Sequence, residues 1–92
     1  MMLGSKRHTV EDTKRWRIDY SNWLDNTAEI VSARVTSSSP TCTIDTSSVL
    51  GKEVVFFLSG GAQGETLTVA VEMTDSFNNV KNDTIAFTCV AA

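Results

Sequence analysis

The 92-residue chain has one histidine, His8, one proline, Pro40, and two cysteines, Cys42 and Cys89. A lone histidine close to the N-terminus leaves no partner set for a Ser-His-acid site, which needs a nucleophile, a base and an orienting acid held together. One histidine and two thiols also fall short of the three or four ligands that a metal site takes. The serines cluster where turns are expected, and Ser59-Gly60-Gly61 is no nucleophile elbow because no helix follows it. No apolar run approaches the roughly 20 residues a membrane helix needs. The opening Met1-Met2-Leu3-Gly4-Ser5-Lys6-Arg7-His8 lacks the apolar core of a secretory signal. These absences point away from catalysis, cofactors, metals and membranes, and towards synthesis in a cytosol.

What is present is 41% apolar residues, ordinary for a globular chain and too many for a disordered one. A chain of this length forms one domain that buries roughly 60–65% of its unfolded surface. Charge is divided unevenly. Residues 1–17 hold five basic and two acidic side chains, a net of +3, and the remainder holds three basic and nine acidic, a net of −6. A basic end on an acidic body suits contact between copies or docking onto an acidic partner. The basic residues are too few, and the chain too acidic, for a protein that tracks phosphates along nucleic acid.

The hydrophobic pattern is one of strands. Val54–Leu58 is a short apolar run and Glu65–Thr74 alternates cleanly, with Leu67, Val69, Val71 and Met73 on one face. Between them, Ser59–Gly64 reads as the turn of a hairpin, since glycine accepts positive φ without steric cost. Arg15–Tyr20 alternates Trp16, Ile18 and Tyr20 against Arg15, Arg17 and Asp19. Ser21 to Leu24 reads as an N-capped single helical turn. Glu29–Thr36 is a strand with Val31, Ala33 and Val35 on one face, broken by Ser37-Ser38-Ser39-Pro40. Thr41–Asp45 is a short strand, Thr46–Lys52 a connection, Asp75–Asn79 a second turn, and Lys81–Val90 a final strand with Ile85, Phe87 and Cys89 inward. Met1–Thr13 shows no periodicity. The expected fold is all-β: a single immunoglobulin-like antiparallel β-sandwich of about six or seven strands over residues 14–92, with residues 1–13 an extended or flexible N-terminal arm. Cys42 and Cys89 both read as inward. A cytosolic origin favours buried thiols acting as small apolar fillers, and an inter-sheet bridge is the alternative.

The aromatics exceed what one small core can hold. Phe56 and Phe57 are adjacent in a strand and point to opposite faces, so one of them caps an edge or meets a partner. Trp16 and Trp23 lie beside the basic segment, and tryptophan with arginine is the usual make-up of an interface anchor. Both tryptophans also suit plugging the ends of a small sandwich, Trp23 more so than Trp16. Asp75, Asn78, Asn79, Asn82 and Asp83 supply oxygen ligands of the kind calcium takes, but their spacing is that of ordinary turn residues.

Two motifs add a family. Asp19-Tyr20-Ser21-Asn22-Trp23-Leu24, and Leu58-Ser59-Gly60-Gly61-Ala62-Gln63-Gly64 leading into Leu67-Thr68-Val69, stand in the order found in a family of tailed-phage fibre–tail adaptors. The chain resembles that family over about residues 6–91. The resemblance implies an immunoglobulin-like, non-enzymatic structural protein of the virion tail or neck, made in the host bacterial cytoplasm. Its implied partners are other copies of itself in a ring, a tail or portal-proximal protein, and a tail fibre. A capsid decoration or cement protein, and a free immunoglobulin-like module binding glycans or proteins, are the alternatives. The expected partner-binding residues are Lys6, Arg7, Lys14, Arg15, Trp16, Arg17, Tyr20, Trp23, Phe57, Gly60, Gly61 and Phe77. The arm reaches a neighbour, and the tips Ser59–Gly64 and Asp75–Asn79 face the fibre or the next subunit. On that reading, deleting residues 1–17 leaves the sandwich folded and abolishes assembly.

Overall fold

The structure, a computed structural model, describes residues 2–91. Seven strands follow one another: β1 (Met2–Thr9), β2 (Thr13–Asp19), β3 (Ile30–Ser37), β4 (Cys42–Leu50), β5 (Glu53–Gly60), β6 (Thr66–Asp75) and β7 (Val80–Val90). They form two sheets, one ordered β1-β7-β6-β3 and the other β2-β5-β4. The inward faces meet in one core of Val54, Phe56, Leu58, Leu67, Val69, Val71, Met73, Ile85, Phe87 and the two cysteines. Clean alternation on β6 and β7 is what dictates this, because one sheet face must be covered and the other wetted. The body measures 43 × 20 × 19 Å.

Several elements differ from the sequence reading. The Ser59–Gly64 turn is not a hairpin. β5 pairs with β2 and β4, whereas β6 pairs with β3 and β7, so the connection arches from one sheet to the other. Glycines at positive φ serve an arch as well as a hairpin: Gly60 and Gly61 stand at φ 82° and 106°, and Gly61 donates its N–H to the Thr41 carbonyl at 3.0 Å. The within-sheet hairpins are instead β4–β5, turning at Gly51-Lys52, and β6–β7, turning at Ser76–Asn79. In the latter turn Asn78 takes the left-handed conformation, φ 66°, as asparagine does more readily than other non-glycine residues. Buried Asp75 closes it by accepting from the N–H groups of Phe77 and Asn79 at 2.9 and 2.8 Å.

The N-terminal segment is extended but it is not a free arm. β1 lies parallel to β7, with Ser5 opposite Ala86 and Thr9 opposite Val90. His8, expected on a mobile arm, is 1% exposed inside the sandwich. β4 runs on through Thr46–Leu50, a segment read from the sequence as a connection. As an edge strand exposed on both faces there, it gains its order from the ladder to β5 rather than from a buried face. A register shift between Ile30 and Ser32 inverts the start of β3, burying Ile30 and leaving Val31 64% exposed. The turn after β2 is capped by Asp19, which accepts from the Ser21 N–H at 2.8 Å, and Leu24 N–H reaches back to the Tyr20 carbonyl at 3.0 Å. No residue among those described is helical.

Glu65 ties the arch down. Its carboxylate accepts from Ser39 Oγ at 2.7 Å, Thr41 Oγ1 at 3.1 Å and the Ala62 N–H at 3.2 Å. The Ser39 hydroxyl foremost, then the Ala62 N–H, holds the carboxyl below its ordinary value of 4.5. A carboxyl whose folded pKa is depressed adds stability above its unfolded value and loses it as pH falls through the folded one. Thermal unfolding followed from pH 7 to pH 2 should therefore show a decline beginning near pH 4.5. In Glu65→Gln that decline should be shallower; an unchanged acid limb would mean the carboxylate contributes nothing.

Candidate docking surfaces

The outer strands decide what the molecule presents. β1 and β2 are edge strands of different sheets and lie on one flank, so the basic segment of the sequence becomes a basic margin. Lys6 and Arg7 on β1, and Lys14, Arg15 and Arg17 on β2, are all exposed. Arg17 pairs with Glu53 at 3.4 Å, and Lys14 Nζ sits 5.0 Å from the Trp16 ring centroid.

Between these two edges the sandwich is open. Two adjoining hollows of about 250 and 270 Å³ share Leu3, Ile18 and Asp19. The first is lined also by Lys6, Trp16, Arg17 and Ile85, and the second by Tyr20, Asn22, Trp23, Lys81 and Asp83. Together they make a groove with an apolar wall and a charged rim. Trp16 is half-buried there, its ring edge-on to Phe87 at 5.1 Å, and its indole N–H has no hydrogen-bond partner among the described residues. At the far end of the groove the Tyr20 hydroxyl donates to Asp83 Oδ2 at 2.8 Å, and Lys81 Nζ lies 3.1 Å from Asp83 Oδ1. The same lysine stands 5.6 Å from the ring centre of Trp23, which is 41% exposed.

A second surface lies at one end of the long axis. Val31, Val49, Leu50, Phe77, Val80 and Trp23 are exposed where β3 and β7 begin, β4 ends and the β2–β3 connection passes. The other two large exposed hydrophobics of the described residues, Met2 and Leu3, lie on β1 beside the groove. The opposite end, formed by the Gly61–Glu65 arch, the Ser38–Thr41 turn and the β1–β2 turn, carries none.

Of the twelve expected partner-binding residues, the groove brings together Lys6, Trp16, Arg17, Tyr20 and Trp23. Arg7, Lys14 and Arg15 lie on the strands that bound it. Tyr20, however, is a core residue that meets the groove only with part of its ring, because burial of its hydroxyl is made possible by Asp83. Gly61 packs against the cysteines and Gly60 against the Thr41 carbonyl, so both are placed by the arch rather than offered to a partner. Phe57 is half-buried, and Phe77 belongs to the apolar end, remote from the Ser59–Gly64 arch. Sequence reasoning missed Leu50, Val49 and Val80, whose signal was an apolar residue at a strand terminus next to a turn. It also missed the buried role of Asp83, which nothing local announces. Among the described residues no three metal-ligating side chains gather at one place, and no helix is long and apolar enough to cross a membrane.

The molecule is a seven-stranded, two-sheet sandwich with its large exposed hydrophobics at one end and beside the groove, and with five of its basic side chains on the β1–β2 flank. The family description "Podophage GP4 fiber-tail adaptor protein gp77" matches residues 8–88. The chain belongs to this family of phage structural proteins, associated with the tail. No curated protein matches the sequence. Among solved structures, the 2,6-sialyltransferase of Photobacterium sp. JT-ISH-224, from the Vibrionaceae, is similar with a TM-score of 0.59 at 9% identity. That match covers 99% of this chain and 18% of the sialyltransferase, so the chain spans under a fifth of that protein's length, and the likeness is one of fold alone.

Proposed function

We propose that the chain is a non-enzymatic connector in the virion tail, joining a tail or neck component to a tail fibre, with several copies closing into a ring. One observation carries the reading: the basic groove on the β1–β2 flank and the apolar end are two surfaces of different character that meet only at Trp23, and a connector needs two. The groove, with Lys6, Trp16 and Arg17, suits a partner segment that brings apolar side chains and acidic groups together. Tryptophan and arginine at the edge of a pocket are the usual carriers of binding energy. The apolar end suits a second, drier contact of the sort found in permanent assemblies. Repetition of one heterologous contact around an axis closes a ring. The family's printed role as an adaptor supports the same assignment. Burial of the single histidine in β1, with no hydrogen-bond partner to either ring nitrogen among the described residues, supports the absence of acid–base chemistry. Synthesis in the host cytoplasm precedes assembly.

The test is incorporation into particles of two surface variants that leave the core untouched. Arg7→Glu with Arg15→Glu should fold with an unchanged thermal midpoint yet enter particles at least about tenfold less, a loss of about 1.4 kcal/mol or more in docking. Leu50→Asp with Phe77→Asp should fold as well and yield particles that carry the protein but lack the second partner, or the reverse. Normal incorporation and normal particle composition for both variants would overturn the two-surface reading.

A further inference from the structure

Cys42 starts β4 in one sheet and Cys89 ends β7 in the other, and both thiols are buried and free. They meet beneath the arch. A Cβ placed on Gly61 would stand 2.8 Å from Cys89 Sγ, 3.3 Å from Cys42 Cβ and 3.7 Å from Cys42 Sγ. No side chain at position 61 therefore intervenes between the backbone of the arch and the pair. Both sulfurs lie within 4 Å of that one point, so they are neighbours across the two sheets, and side-chain rotation with an approach of the two strands is the motion that brings them to the roughly 2.05 Å of a disulfide.

We propose that Cys42 and Cys89 form a modification site, a dithiol that closes to a disulfide between the two sheets on meeting a small-molecule disulfide such as oxidised glutathione. The thiolate of one cysteine attacks the small disulfide, whose S–S bond breaks and releases one thiol while a mixed disulfide forms. The second protein thiolate then attacks the protein sulfur of that mixed disulfide and expels the other thiol. The two protein thiols lose two electrons and two protons, and the small disulfide is reduced to two thiols. The arch regulates access. Burial first, then the neighbouring Cys89, pushes the Cys42 thiol up to about 11; burial and the charge of Glu65 also raise Cys89. With little thiolate present, exchange is slow while the arch is seated. Burial is the larger brake, and Glu65, which ties the arch over the pair and adds its negative charge, modulates the rate. The bridge would span 47 positions of sequence (42 to 89) and pin the sheets together at the polar end.

The experiment exposes the purified full chain to oxidised glutathione and reads intact mass, disulfide-mapped peptides and thermal midpoint. The expected product is a monomer two hydrogens lighter, linked from Cys42 to Cys89, with a midpoint higher by about 10 °C and restored by dithiothreitol. Cys89→Ala should show no such rise, and Glu65→Gln should bridge at least about threefold faster, as its thiols ionise more readily. Glutathione adducts without the bridge, disulfide-linked dimers, thiols that stay reduced in both the parent chain and Glu65→Gln, or a bridge that fails to raise the midpoint would each overturn the proposal. An unchanged rate in Glu65→Gln would overturn the part assigned to the arch.

Discussion

A chain lacking residues 1–17 is expected not to fold. The deletion removes β1 entirely and the paired residues Thr13–Arg17 of β2, and so strips one edge from each sheet. The edges uncovered are β7 and β5, the latter holding Val54, Phe56 and Leu58 in the centre of the core. With them go His8 from the interior and Trp16 from its edge-on contact with Phe87. A domain of this size has about 5–10 kcal/mol of stability to lose, and two strands carry more than that in burial and backbone pairing. Unpaired, apolar strand edges also invite aggregation. Dispersed amide resonances and a cooperative thermal transition from the truncated protein would refute this expectation. The result would separate structure from docking, because the basic residues cannot be removed by truncation without removing strands; only point changes at exposed positions test them.

Asp83→Ala is expected to destabilise more than any change to the exposed charges, by about 3–5 kcal/mol. Asp83 is buried, accepts the Tyr20 hydroxyl at 2.8 Å and faces Lys81 Nζ at 3.1 Å, a lysine side chain only 16% exposed. Removing the carboxylate strands a buried hydroxyl and a nearly buried ammonium at once. Burial, and then the hydrogen bond to Asp83, holds the Tyr20 hydroxyl well above its ordinary 10.0, so it remains a donor throughout the neutral range. Tyr20→Phe removes one neutral donor and keeps the ion pair, and should cost only about 1–3 kcal/mol. Urea unfolding of the two single variants and the double variant measures both, and the double variant should fall short of the sum because the groups share one network. Equal effects for the two single changes would show that the lysine does not depend on the carboxylate.

What was legible in the sequence was whatever has a one-sided environment. β6, β7 and β2 alternate because one face is in the core, and Leu67, Val69, Val71, Met73, Phe87 and Cys89 are buried as their spacing requires. The family was legible too, from two short motifs that turn out to be the capped turn after β2 and the inter-sheet arch. Strands held by their backbones alone were illegible. β1 is exposed at most positions and needs only its ladder to β7, so it shows no period. The outer half of β4 is wet on both faces, and its serines looked like a turn. The arch was mistaken for a hairpin because glycine at positive φ says that the chain bends, not which sheet it joins. A single register shift reversed Ile30 and Val31 against the alternation. The groove escaped notice for another reason: its wall is built from residues as far apart as Leu3, Trp16 and Ile85, and only pairing of β1 with β7 brings them together.

That pairing also governs how the protein is made. Ser5 finds its neighbour at Ala86 and Thr9 at Val90, so the sheet stays incomplete until β7 has left the ribosome. Contacts this distant in sequence slow folding and keep apolar margins uncovered meanwhile. A copy cut short before β7 would lack the strand that seats β1 and leave the groove unformed.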